Sequence, residues 1–228
     1  MTTPPALRIR REPGLTMKIY EALSERIMDG HLKPGDPIII EQVAAQLEVS
    51  PTPVRESLAR LAEQGVITKG RNGRMSVQQL TPEYVRDIYL VRGALEGLLA
   101  ELAAPRITET QIATLRDDLA DILTTVNRGH YQQYIVAVDD IFGVVEGVVG
   151  SQTLSRELFV LRLHTAFVRS LTKRYVAEYI QVLHEELQAL VDALADRDPA
   201  KARLAAERYV RNSGRRVAQI LGVDSHDV

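Results

Sequence analysis

The chain has 228 residues, 45% hydrophobic and 25% charged, an ordinary balance for folded domains and enough length for one large core or two modest ones. It has no cysteine and no tryptophan, which excludes disulfides, thiolate metal sites and a cysteine nucleophile and makes the cores aliphatic. The net charge of −2 is divided unevenly: residues 1–80 hold 11 lysines and arginines against 9 acids, the remainder 17 against 21, a pattern that suits a nucleic-acid-reading head on a body that leaves nucleic acid alone.

Residues 1–14 contain Pro and Arg without periodicity and read as a solvated arm. They lack the apolar stretch of a signal peptide, and no apolar run reaches the ~18 residues of a membrane helix, so a cytoplasmic protein is expected. Ile19, Leu23 and Ile27, with Tyr20 beside them, have helical spacing over 16–29, stopped by Gly30. Pro34 and Gly35 form a turn, and the β-branched segment 38–40 is a candidate short strand. A second helix is expected over 41–47 with Val43, Ala44 and Leu47 inward.

Only Glu48, Val49 and Ser50 separate it from a third helix. There Ser50 occupies the N-cap, and Pro51 and Pro53 fall in the first turn, where backbone N–H groups have no intrahelical partner. Val54, Leu58, Leu61 and Ala62 form its buried stripe and Gly65 ends it. Segments 66–69 and 75–78, joined by a Gly/Asn turn, predict a hairpin or wing. Beyond Leu80 the pattern is helical throughout: 82–104, 109–126, 131–149, 154–171, 175–195 and 199–220. The fold class is therefore mainly α, a winged helix-turn-helix over 15–79 followed by an all-α antiparallel bundle over 80–228.

The segment 41–65, EQVAAQLEVSPTPVRESLARLAEQG, carries the chemistry. Two helices meet at a three-residue turn and the second opens with small polar residues, a geometry that admits its N-terminal end to the major groove. Ser50 and Thr52 are candidates for phosphates or base edges, Arg55 for a bidentate guanine contact, and Arg60, Glu41 and Pro53 complete that face. Taken alone, an arginine on an exposed helix is usually only solvated.

The stretch from Tyr20, with S-x-T-P-V-R-E-x-L-x-x-L-x-x-x-G at 50–65 and the wing RNGRMSV, closely resembles the winged helix-turn-helix of the GntR family of bacterial regulators. The resemblance implies a homodimer on a palindromic double-stranded DNA operator, with the recognition helix in the major groove and the wing in the adjacent minor groove. Many members carry Arg after the serine. Pro51 stands there in this chain, so Arg71, Asn72, Gly73 and Arg74 become wing-tip candidates.

The helical half resembles the effector domain of the FadR-type subgroup, the FCD domain, through IYLVRGALEGLLAELAA, with Arg92 and Glu96 in an R-x-x-x-E pattern, and through the D-x-x-F of Asp139 and Phe142. That resemblance implies a divalent metal on one Asp and three His. Carried over position by position, Asp139 is kept, but Gly143, Leu187 and Tyr209 stand where the histidines belong. A lone carboxylate does not hold a transition metal, so no metal and no cofactor is expected.

Gly143 would then open space, Leu187 add apolar wall, and Arg92, His164 and Tyr209 anchor a small organic effector, for instance a carboxylate or apolar acid. A different metal site from His164 and His184 with Asp139 or Asp140 is the weaker alternative. His130 and His226 suggest no ligand. The run GVVEGVVG at 143–150 is unusual for a helix and would permit close packing or approach to a ligand. The expected function is a ligand-responsive transcription factor, probed against a metal-responsive regulator and a winged-helix protein-interaction module. An enzyme is disfavoured by the lack of a nucleophile constellation or phosphate loop.

Overall fold

The structure, a computed structural model, describes residues 14–28, 30–127, 131–172 and 176–221. The expected arm before Gly14, His130 and His226 lie outside these. Contacts divide the chain into two compact units, Met1–Gln79 and Leu80–Val228.

The first unit contains α1 (Leu15–Met28), β1 (Pro37–Ile38), α2 (Ile40–Gln46), α3 (Pro51–Glu63), β2 (Ile67–Lys69) and β3 (Met75–Val77). The strands form an antiparallel sheet in the order β1-β3-β2, with Ile38 opposite Met75 and Thr68 opposite Ser76. Ile19, Leu23 and Ile27 of α1 and Val54, Leu58 and Leu61 of α3 are all buried, as their spacing requires. Gly65, at φ +76°, lies just beyond the end of α3 in the left-handed region that glycine adopts without strain.

Two readings of the sequence need correction here. The segment 38–40 is a strand only at Ile38: Ile39 is the N-cap of α2 and Ile40 its first residue. Leu47 is exposed rather than inward, because α2 stops at Gln46 and the helical period no longer directs the next side chain. The turn closes through Glu48 at φ +54°.

The second unit comprises α4 (Pro82–Ala103), α5 (Glu109–Asn127), α6 (Tyr131–Val149), α7 (Gln152–Thr172), α8 (Val176–Ala195) and α9 (Pro199–Ile220). Thr81 and Asp198 cap α4 and α9: their side-chain oxygens accept from the backbone N–H of Tyr84 at 3.2 Å and of Lys201 at 3.0 Å, and a proline follows each. α4 contacts α6, α7 and α9, while α5 packs on α6 and α8.

The closest approach is between α4 and α9, where glycines replace side chains. A Cβ on Gly97 would stand 2.5 Å from Cγ of Glu207, and one on Gly214 would stand 2.7 Å from Cβ of Tyr89. The glycines of α6 behave oppositely. Gly143 and Gly147 are exposed and a Cβ on either would meet nothing within 4 Å, so they serve no helix packing. Gly143 also does not widen the bundle interior, as it faces outward.

Candidate nucleic-acid interface and effector site

α3 is braced from behind. The Ser57 hydroxyl, fully buried, lies 2.7 Å from the Thr16 carbonyl oxygen of α1 and 2.8 Å from that of Pro53, to which it can donate, and the Thr16 hydroxyl donates to Glu56 at 3.0 Å. Tyr20 of α1 donates to Gln64 at 2.8 Å and lies under the Arg60 guanidinium at 5.6 Å. Arg60 thus stacks on the unit itself. Thr16, Tyr20 and Ser57 are positioning residues that helical spacing alone did not mark.

The front of α3 is open. Ser50, Thr52 and Arg55 are exposed, and so is Glu41 on α2, while Pro53 is half-buried. The Ser50 side chain makes no capping hydrogen bond. Its usual partners are the N–H groups of the second and third helical residues, and the third is Pro53, which has none. Since Pro51 also lacks an N–H, Thr52 is the one residue among the first three of the helix that has a backbone donor.

The wing tip is a built turn. Gly70 N–H donates to the Arg74 carbonyl at 2.8 Å, Gly73 N–H to Gly70 at 2.9 Å, and Arg74 N–H to the Asn72 side chain at 3.2 Å. Gly73 at φ +77° takes the conformation that turn needs. Asn72 and Gly73 therefore shape the tip, and Arg71 and Arg74 are carried exposed upon it. Among the described residues Arg55, Arg71 and Arg74 have no ion-pair partner within the protein.

The interior of the second unit is a network of charges. Glu96, fully buried, accepts from Arg92 Nε at 3.4 Å and from Arg162 Nε and Nη2 at 3.1 and 3.3 Å. Arg162 Nη1 continues to Glu146 at 2.6 Å, and the two carboxylates outweigh the effect of burial to hold its charge firmly. Arg92, 2% exposed, also donates from Nη1 to Thr165 at 3.1 Å and lies 5.8 Å over the Phe142 ring, which is itself 5.9 Å from the Tyr209 ring. Its Nη2 is buried with no hydrogen-bond partner among the described residues, as is the hydroxyl of Tyr89.

Asp139 is gripped from α7: Arg169 Nη2 stands 3.2 and 3.0 Å from its two carboxylate oxygens. Burial opposes the Arg169 charge, but Asp139, with Tyr89 and Tyr209 nearby, raises its pKa above the ordinary value. Leu187 and Tyr209 are buried in the hydrophobic core. His164 is buried and shares a hydrogen bond through Nδ1 with the Tyr84 hydroxyl, whose pKa burial pushes above its usual range. His184 has a buried Nδ1 with no hydrogen-bond partner among the described residues, and desolvation lowers its pKa.

Asp139 is paired with a guanidinium, Gly143, Leu187 and Tyr209 offer no imidazole, and among the described residues no group of three His, Asp or Glu is placed to hold a metal ion. Tyr89, Arg162 and Arg169 escaped the sequence reading; their roles depend on partners tens of residues away.

Comparison with known proteins agrees with both units. Residues 15–79 match the family of bacterial regulatory proteins described as gntR, and residues 87–212 match the FCD domain. The chain is 25% identical over 206 residues to the HTH-type transcriptional repressor RspR of Escherichia coli K12, covering 90% of each. It is 40% identical over 91 residues to the Nta operon transcriptional regulator of Aminobacter aminovorans, 40% of this chain and 43% of that one. The fold matches the solved structure of E. coli McbR/YncC with a TM-score of 0.77 at 21% identity, over 90% of this chain and 98% of that one. No helix among the described residues is long and apolar enough to cross a membrane. The relatives are transcriptional regulators rather than enzymes, and the chain belongs to the GntR family, as a DNA-binding transcriptional regulator with an FCD domain.

Proposed function

We propose that this regulator binds a palindromic operator as a homodimer in the cytoplasm, acts as a repressor, and is released or retained by a small organic effector held inside the helical unit. The observation that carries the DNA half is the exposed set Thr52, Arg55, Arg71 and Arg74 on a braced helix start and a built wing. Arginines without internal partners, displayed on rigid backbone, are what phosphate and base-edge contacts require. RspR, similar along most of the chain, is named a repressor, which supports that direction of control. The effector half is supported by the buried polar cluster around Arg92 on α4, the helix that follows the first unit directly in sequence. A ligand there alters operator affinity only through a difference in its affinity for the two states of the protein.

The test is fluorescence anisotropy of palindromic promoter fragments with the purified protein. Nanomolar binding at moderate salt is expected, weakened on the preferred fragment by Arg55→Ala. Failure of every fragment to bind below micromolar protein would overturn the reading.

A further inference from the structure

We infer that Pro51 is a specificity-determining residue: its exposed ring selects a thymine of the operator by the C5-methyl group, within about two base pairs of the guanine read by Arg55. The inference rests on the reading that the start of α3 enters the major groove, and it names a base that this start requires.

The exposed side chains of α3 carry it. From Pro51 to Arg60 they are Pro51, Thr52, Arg55, Glu56, Ala59 and Arg60. Two of these are engaged within the protein: Arg60 stacks on Tyr20, and Glu56 accepts from the Thr16 hydroxyl. Arg55 is then the cation of α3 left to donate to a base edge. Pro51, Arg55 and Ala59 follow one another at intervals of four, so they lie along one side of the helix, and the positions flanking the arginine have no polar side-chain atom. Ala59 is two turns in, away from the end of a recognition helix that reaches the bases, which leaves Pro51.

Chemistry limits what such a ring can recognise. The thymine methyl is the apolar group that the major-groove edges of the bases present. A phosphate does not suit it. Pro51 and Pro53 have no N–H, and a ring set against phosphate would displace water without replacing its hydrogen bonds. Against a methyl the ring gives up nothing polar, and apolar surface is buried on both sides. Its φ is locked and it has no rotamer freedom to lose, so the contact is stiff and depends on where the methyl stands. The Ser57 hydroxyl, held at 2.7 Å from the Thr16 carbonyl oxygen, fixes that place by tying α3 to α1. Thr52, beside Pro51, has a hydroxyl that can serve any base pair and so discriminates less.

The experiment uses the full chain and the palindromic fragment it prefers, followed by fluorescence anisotropy. Each thymine of one half-site is replaced in turn by deoxyuridine, which removes the methyl and keeps every hydrogen-bonding group. At one position near the guanine assigned to Arg55, binding weakens about three- to fivefold, the contribution of one buried methyl. In Pro51→Ser the same replacement costs nothing. Serine there also restores an amide and shifts affinity for both duplexes, an effect that cancels in the double-mutant comparison. In Thr52→Ser, which removes the neighbouring methyl of the protein, the loss on deoxyuridine persists.

Indifference of the unaltered protein to deoxyuridine at every thymine would overturn the proposal. So would a loss that persists in Pro51→Ser or vanishes in Thr52→Ser. In each of these outcomes the protein still grips its fragment and the DNA reading stands. Failure to bind any fragment would overturn the DNA reading and this proposal with it.

Discussion

Gly214 of α9 lies so close to Tyr89 of α4 that a Cβ on the glycine would stand 2.7 Å from the tyrosine's own Cβ. That carbon is fixed to the α4 backbone and cannot swing away, so the helices must part. Gly214→Ala is expected to cost about 1–3 kcal/mol, in the manner of an overpacked core. Gly143→Ala, on an exposed helix face with nothing within 4 Å, is expected to gain up to about 1 kcal/mol of helix propensity. Urea denaturation followed by circular dichroism should give opposite signs for the two. Gly97→Ala falls between, because the Glu207 side chain it meets can move at the expense of its 2.9 Å contact with Arg203.

Glu96 is the shared counter-ion of Arg92 and Arg162. Glu96→Ala strands the buried Arg92 charge and is expected to cost about 3–5 kcal/mol, whereas the double change Arg92→Met with Glu96→Met recovers most of that loss. If the single and double variants melt alike, the network does not hold the bundle in the way its geometry indicates.

The two elements proposed to face DNA, the start of α3 and the wing, should respond differently to salt and sequence. Arg55→Ala is expected to relax discrimination at one base position by about 1–3 kcal/mol. Arg71→Ala and Arg74→Ala should weaken all sequences alike and each lower the salt slope of binding by about 1. Anisotropy titrations across a salt series, on the operator and on single-base variants, separate the two behaviours.

Desolvation lowers the His184 pKa, so the folded protein resists its protonation while the unfolded chain accepts it near the ordinary value of about 6.5. The stability that neutral His184 provides is present above that value and is lost as pH falls through the depressed folded value. Melting temperatures measured from pH 7.5 downward should decline from about pH 6.5. In His184→Gln that part of the decline should disappear.

Much of the fold was legible because its punctuation is local. Thr81 before Pro82, Asp198 before Pro199 and Gly65 after α3 mark helix ends by chemistry that acts within one turn. Leu47 was misread for the same reason in reverse: periodicity assumed one more helical residue than the turn at Glu48 allows. Gly143 was expected to open the interior, but it is exposed and a Cβ there would meet nothing within 4 Å, so the residue identity changes no interior space, while Asp139, one turn earlier, is reached by Arg169. The Asp139–Arg169 pair spans thirty residues and the Glu96–Arg162 pair sixty-six, and no spacing rule links residues so far apart. Arg92 was visible as a motif residue, yet its free Nη2 and the neighbouring Tyr89 hydroxyl exist only once α4, α7 and α9 are packed.

The two prolines that open α3 have a consequence for how this regulator meets DNA. They restrict the unfolded and the free chain alike, so the start of the helix is ordered before any duplex arrives and little ordering entropy remains to be lost on docking. They also silence two of the amides that would otherwise hold a phosphate. The reading end of the helix is thus stiff but thinly supplied with generic grip, and affinity shifts toward side chains and the wing. Such a head is expected to leave poorly matched sequences quickly, which dissociation rates measured on operator and mismatched duplexes would check.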